Sequence, residues 1–467
     1  MKRSTPIPFI LLTLVALAAL FVPKGAAVIP VGGEINKGDV AWMITASAFV
    51  LLMTPGLSFF YGGMVGFKNV VSTMLQSVVS LGVITMVWVV LGFSLAFGDS
   101  LSIAGHNGFL GNPLTFFMFD GVADKTHPLL APTIPLMIFA LFQLKFAIIT
   151  PALITGSFAE RVKFSSYLLF IVLFSIFIYS PLAHWTWHPD GFLKKMGVLD
   201  FAGGTVVHMS AGWAALAGAM FLGRRKIHLA NETHTPANVP FVLLGTGLLW
   251  FGWFGFNAGS ALEANGSATI AFATTNTASA SAMLGWMFFD WLRGHKPSAL
   301  GACIGAVVGL VAITPAAGFV SVRESIVIGL VASVVSNLAV HLRTKSTLDD
   351  TLDVFPCHGV GGMVGMVATA VFADKGLLDY GLKAPADGQW PLIVSHLLAL
   401  VIVSAFAFFG SLLLFKITDL IIPLRVPANE EYEGLDISQH GETALDRALL
   451  NGNGNGVHKP TVEEILA

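Results

Sequence analysis

Charge is what this sequence has least of. Only 11% of its 467 residues are Asp, Glu, Lys or Arg, against 55% that are hydrophobic. A soluble domain carries about 25% charge. Mean hydropathy is +0.77. Such a chain has too few charges to cover a water-facing surface, which excludes an ordinary soluble domain and indicates a polytopic membrane protein, with the bilayer supplying the apolar surroundings. The charges that remain nearly cancel, 25 basic against 27 acidic, a balance that says nothing about nucleic acid, and no nucleic-acid partner is expected. Cysteine is scarce too. Cys303 and Cys357 lie in apolar runs with no CxxC spacing, which argues against a disulfide or a zinc site and for buried free thiols.

Apolar runs and glycine are what the chain has in plenty. Lys2 and Arg3 precede an apolar run from Ile7 to Val22, and Gly25, Ala26 and Ala27 follow. That pattern predicts a signal peptide over 1–27, cleaved near Ala27, with a retained extra helix as the other reading. Beyond it, runs long enough to cross roughly 30 Å of hydrocarbon predict about eleven spans, near 40–62, 70–97, 131–158, 164–185, 201–222, 240–262, 268–291, 298–316, 321–341, 354–373 and 391–421. The 49 glycines suit close packing between them. Residues 28–424 thus form a transmembrane domain. Residues 425–467 read as a soluble, partly ordered tail, acidic at first and then a Gly/Asn linker from Asn451 to Gly456.

Loop charges orient the spans. Lys68, Arg161, Lys163, Arg224, Arg225, Lys226, Arg293, Lys296, Arg343 and Lys345 fall in alternate loops, and the positive-inside rule places those loops in the cytoplasm. An odd span count then leaves the N-terminus outside and the C-terminus inside. Spans one to five and six to ten make two equal sets entering from opposite sides, which is an inverted repeat with its site near the midplane.

Ionisable residues at membrane depth are costly and therefore functional candidates. His208 lies in span five and His358 in span ten. Phe201, Thr205 and His208 share a helical face at i, i+4 and i+7, while Gly204, Ala211, Ala215 and Gly218 form another. A two-fold relation between the halves would bring the histidines together. Paired imidazoles in a dry pore disfavour each other's charged forms and give a polar, mostly neutral lining. A core histidine or a metal site is the competing reading, and no third ligand is evident for a metal. Asp200 opens span five either as a helix cap or as a cation ligand. Trp185, Trp187, Trp253, Phe254, Phe256 and Phe146 offer rings that attract a cation by about 2 kcal/mol when it is desolvated, or else form an interfacial belt. Lys145 in span three can snorkel, pair or line a cavity.

The chain resembles the ammonium transporter/Rh family, on its ammonium transporter side, from about Ala41 to His440. The segments that carry the resemblance are Pro55 to Gly63, Ala159-Glu160-Arg161, Asp200 to His208, Gly252 to Ser260, and Leu435 to Ser438 with His440-Gly441. The resemblance implies an all-α membrane protein of eleven helices with a five-plus-five inverted repeat, a homotrimer in the cell membrane with one pore per subunit. It assigns an outer ammonium site to Phe146, Trp187 and Ser260, with Asp200 as an essential acid near it. It also assigns a stacked gate to Phe146 and Phe256, and twin pore histidines to His208 and His358. No cofactor, no metal and no enzymatic chemistry are implied. The tail would contact a PII-type regulator. The segment between Trp187 and Asp200 departs from the pattern with His188, Asp190, Lys194 and Lys195. The function expected is inward ammonium transport: cation capture, deprotonation and passage of NH3. An ammonium sensor and a neutral-gas channel of the Rh type are the alternatives.

Overall fold

The computed structural model describes residues 7–21, 30–102, 105–106, 108–230, 235–374 and 391–444. Regular structure among them is helical, apart from isolated antiparallel bridges such as Val162 with Arg425. Helix α1 spans Ile7–Phe21 and buries none of its residues. The cleavage site expected near Ala27 lies outside the described residues. The helices that follow are α2 (Lys37–Met64), α3 (Phe67–Phe97), α4 (Leu136–Phe158), α5 (Phe164–Lys195), α6 (Gly204–Leu222), α7 (Val239–Gly259), α8 (Gly266–Leu292), α9 (Ala299–Ile313), α10 (Val322–Thr344), α11 (Phe355–Phe372) and α12 (Leu392–Ile421). Nine of these are long and apolar enough to cross a membrane. The Ser/Thr-rich α8 and the 15-residue α9 fall outside that group.

Side chains at the loop ends start the helices. Asn36, Asn238, Asn265 and Ser298 each accept a backbone N–H from the first turn of α2, α7, α8 and α9. Ser321 and Glu324 form a reciprocal capping box on α10. Each such cap satisfies donors that have no partner within the helix.

The halves meet along two seams. Helix α2 packs most extensively against α7, its counterpart in the second half, and α6 meets α11 in the same way. At the second seam a Cβ on Gly212 would lie 2.1 Å from the Gly359 nitrogen, so only glycine allows this approach. Cys303 and Cys357 are both buried and free.

Span five begins later than the sequence indicates. Residues 200–203 are not helical, Gly203 has φ +117°, and Gly204–Met209 is a π-helical turn. The 3.6-residue spacing therefore does not apply between Phe201 and His208. Phe201 packs against Phe319 instead of sharing His208's face.

One end of the bundle is closed by buried charge. Arg225 pairs with Glu160 at 2.7 Å and with Asp349 at 2.9 Å. Glu160 also accepts the Gly66 N–H. Arg161 is fully buried and donates to the Ser157 and Asp349 carbonyls and to the Thr351 hydroxyl. Burial works against the Asp349 carboxylate, but hydrogen bonds and charge from Arg225 and Arg161 outweigh it and hold the group well below the usual carboxylate range.

The first part of the tail docks here. Lys163 N–H donates to Leu424 O and Val426 N–H to Arg161 O. Asn69 accepts the Leu435 N–H, and Asp436 accepts the Ser72 N–H at the start of α3. Residues 425–444 are thus a structured part of this surface, within the stretch that the sequence indicates as a partly ordered tail. The Asn/Gly run lies outside the described residues.

Candidate functional site

The two histidines stand on matching devices. Asp200 and Asp350 each lie eight residues before a histidine. Asp200 accepts the Gly203, Gly204 and Thr205 N–H groups and the Thr205 hydroxyl. Asp350 accepts the Val354 and Phe355 N–H groups. Each carboxylate caps a π-helical turn, Gly204–Met209 on one side and Phe355–Val360 on the other, and each turn holds its histidine. A π turn leaves carbonyl and amide groups out of α register and is frequent at functional sites.

These turns bring the imidazoles together. His208 Nδ1 and His358 Nδ1 are 3.4 Å apart, and the ring centroids lie 5.5 Å apart at 23°. Both rings are at least nine-tenths buried. Two Nδ1 atoms in contact share one proton, which constrains the tautomers. The donor ring then presents a bare Nε2 lone pair, and the acceptor ring presents Nε2–H. The pair therefore offers one acceptor and one donor at its two ends without a net charge. His208 Nε2 is buried with no protein partner.

A cavity lies at each end. One is lined by His208 with Val207, Trp253 and Phe256. The other is lined by His358 with Cys357, Tyr61 and Leu352. Each has room for roughly one water-sized molecule.

Aromatic rings continue the line from His208. Trp253 stacks on His208 at 5.3 Å and 16°, fixed by its Nε1–H donating to Thr314 Oγ1. Phe256 lies 6.0 Å from His208. Phe146 stacks on Phe256 at 4.1 Å and 28°. Trp187 meets Phe146 edge-on at 5.8 Å, and its indole N–H donates to Asp200 O. The backbone that Asp200 caps thus also fixes Trp187. Ser260 is one helical turn beyond Phe256, and its hydroxyl donates to Phe256 O.

The structure therefore joins Trp187, Phe146, Phe256, His208 and His358 in one continuous series, with Ser260 at the end of α7 and Asp200 behind the Trp187 ring. Trp253, which the sequence groups with the outer aromatics, is instead the platform under His208. Asp350 is a further residue of this arrangement, and its eight-residue spacing to His358 was the available signal. Lys145 shares a half-buried stripe of α4 with Ile138 and Leu141, and makes no ion pair among the described residues. The added charges near Trp187 are partly offset, since Lys195 pairs with Asp190 at 2.8 Å. Among the described residues no group of three or more His, Cys, Asp or Glu is placed to hold a metal.

The sequence model of the Ammonium Transporter Family matches residues 41–445. The chain belongs to this family. An ammonium transporter of Aquifex aeolicus is 46% identical over 416 residues, covering 88% of this chain and 94% of that protein. The crystal structure of Saccharomyces cerevisiae Mep2 is 34% identical and superposes with a TM-score of 0.77, covering 85% of this chain and 88% of that one. A solved sensor Amt protein is 30% identical with a TM-score of 0.78, covering 86% and 98%. The site above lies wholly inside the matched region of this ammonium transporter family member.

Proposed function

We propose that the protein carries ammonium into the cell across the cell membrane, drawing the cation to an outer aromatic site and passing it on as NH3 along the twin histidines. The cation is held by the faces and edges of Trp187 and Phe146 and by the Ser260 hydroxyl, and cation–π attraction of about 2 kcal/mol offsets part of its desolvation. Asp200 contributes through the backbone it caps and through its charge. The stacked Phe146 and Phe256 rings leave no hydrophilic path for a hydrated ion, so the proton leaves before the nitrogen passes. Neutral NH3 has one lone pair and three N–H groups, and the acceptor and donor ends of the histidine pair match both. Potassium has a similar size and charge but no proton to give, and is rejected at the rings.

The observation that carries this reading is the unbroken series from Trp187 to His358, with a buried, partnerless Nε2 on His208 and a small cavity lined by that ring and by Phe256 of the gate. The test is current and uptake in proteoliposomes on adding ammonium, with potassium as control. One charge per nitrogen means the proton crosses by another route; none means it returns outside. His208→Ala and His358→Ala should abolish methylammonium uptake; wild-type uptake and selectivity in both would sink the reading.

The same reading takes the subunit as one of a homotrimer, with residues 1–27 as a signal peptide, eleven crossings, the C-terminus inside, and residues 425–467 as the surface for a PII-type regulator. A second reading is an ammonium sensor, favoured by the likeness to the sensor Amt protein. Uptake by the purified protein at rates above binding turnover separates the two.

A further inference from the structure

The stretch of chain between Trp187 and Asp200 is gripped by the first residues of α12. Ser395 Oγ donates to Met196 O at 2.7 Å. His396 Nε2 accepts the Leu199 N–H at 3.0 Å. The other ring nitrogen of His396, Nδ1, lies 2.8 Å from Met366 O. A carbonyl only accepts, so Nδ1 carries the proton and Nε2 keeps its lone pair. This is the one neutral tautomer that serves both contacts. The ring is fully buried.

Three parts of the fold thus meet on a single imidazole: α12, α11 and the segment that leads into Asp200. Met366 lies on α11, eight residues after His358. Leu199 directly precedes Asp200, and the Asp200 carbonyl accepts the Trp187 indole N–H at 3.2 Å. Consecutive Cα atoms are about 3.8 Å apart across a trans peptide, so any shift at Leu199 is passed to the acceptor that holds the Trp187 ring. The Asp200 carboxylate is tied separately, by its four hydrogen bonds to residues 203–205. His396 therefore acts on the Trp187 side of Asp200 and not on the His208 side. An apolar side chain in its place would bury the Leu199 N–H without a partner.

We propose that His396 is a positioning residue for the outer cation site. It fixes the backbone at Leu199 and Asp200 and, through the Asp200 carbonyl, the Trp187 ring, so that ammonium meets a ring already in place. It acts through Trp187 and not on the cation. Preorganisation of this kind strengthens capture and leaves later steps alone, so its loss falls on KM and not on kcat. The inference rests on the reading of Trp187 as part of the outer ammonium site.

The test is methylammonium uptake in proteoliposomes over a range of concentrations, with melting temperature as the check on folding. His396→Leu should raise KM about tenfold, from loss of part of one ring's hold on the cation, with kcat within about twofold of wild type. Glutamine carries an amide oxygen and an amide nitrogen at the reach of the imidazole. His396→Gln can therefore accept from Leu199 and donate to Met366, and should keep wild-type KM. His396→Asn is too short to reach Leu199 while holding Met366, and should behave as His396→Leu does. The two amide variants decide the question if His396→Leu does not fold. In a Trp187→Leu background His396→Leu should raise KM no further, because both changes remove the same contact. Additive effects overturn the proposal and make His396 a packing residue. So does a fall in kcat at wild-type KM, or an equal KM in His396→Gln and His396→Asn. A wild-type KM in Trp187→Leu sinks the outer-site reading and the proposal with it. A raised KM there beside a wild-type KM in His396→Leu sinks the proposal alone.

Discussion

Asp200→Asn tests whether Asp200 acts by shaping the backbone or by touching the cation. The wild-type carboxylate is 8% exposed and accepts four hydrogen bonds, two on each oxygen: Gly203 and Gly204 N–H on Oδ1, Thr205 N–H and O–H on Oδ2. Asparagine keeps one acceptor oxygen and replaces the other with an amide donor. Its oxygen can retain the Gly203 and Gly204 pair, and the amide then faces the Thr205 N–H, which it cannot bond, while the Thr205 hydroxyl must turn to accept from it. Hydrogen bonds to a charged acceptor contribute about 1.5–3 kcal/mol each, so losing one outright, with the charge behind the others, costs at least about 1.5–3 kcal/mol before relaxation. That is a large fraction of a typical 5–15 kcal/mol of net stability. The loss falls on the turn that holds His208 and on the carbonyl that accepts from Trp187. We expect a lower melting temperature in detergent together with loss of methylammonium uptake, and partial recovery of both in Asp200→Glu only if the longer chain can still reach the turn. The refuting result is an Asp200→Asn protein that melts like wild type and yet does not transport. That outcome would mean the carboxylate acts on the cation directly and the cap is incidental.

Three further predictions rest on separate parts of the molecule. Gly212→Ala would place a Cβ 2.1 Å from Gly359 N; separating α6 from α11 should cost about 1–3 kcal/mol or more and break the histidine contact, so uptake at wild-type rate would contradict this packing. Arg225→Gln would leave Glu160 and Asp349 buried without their shared cation, a loss of about 3–5 kcal/mol that thermal melting should register. The Asp349 carboxyl titrates below its unfolded value near 4. Its stabilisation is therefore present above pH 4 and lost as pH falls toward the folded value, so wild-type melting temperature should drop in acid and the Arg225→Gln profile should be flatter. Asp436→Ala removes the cap that ties the tail to α3; a cap contributes about 0.5–2 kcal/mol, and faster proteolytic release of the segment after Arg425 at unchanged melting temperature is the expected readout.

What could be read from the sequence was whatever depends on hydropathy and residue type. The apolar runs, the paired histidines and the aromatic set all follow from composition and spacing, and the helices lie within a few residues of the positions expected, except that α5 runs on to Lys195 where the sequence indicates an end at 185. What failed to show was anything that breaks helical register. The sequence pattern Asp200 to His208 fits an α-helix well, and an acid at its head fits a cap. Nothing in residue type announces that Gly203 sits at φ +117° or that the next six residues wind as a π turn. That departure moves Phe201 off the histidine face and turns His208 toward Trp253. The second half carries the same instruction in different letters. Asp350 and His358 repeat the eight-residue interval of Asp200 and His208, but the residues between them, Thr351 to Cys357, share almost no identity with Phe201 to Val207. What the two halves have in common is the function of the first residue, a carboxylate that collects backbone N–H groups, and of the last, an imidazole at the seam. A repeat held by hydrogen-bond roles and not by sequence follows from the physics, because a capping acid fixes backbone geometry whatever side chains lie between. Swapping the interval 351–357 for 201–207 should therefore disturb packing around Gly359 while leaving the Asp350 cap intact, and a variant in which Asp350→Asn abolishes uptake as fully as Asp200→Asn would show that both caps set the histidine contact.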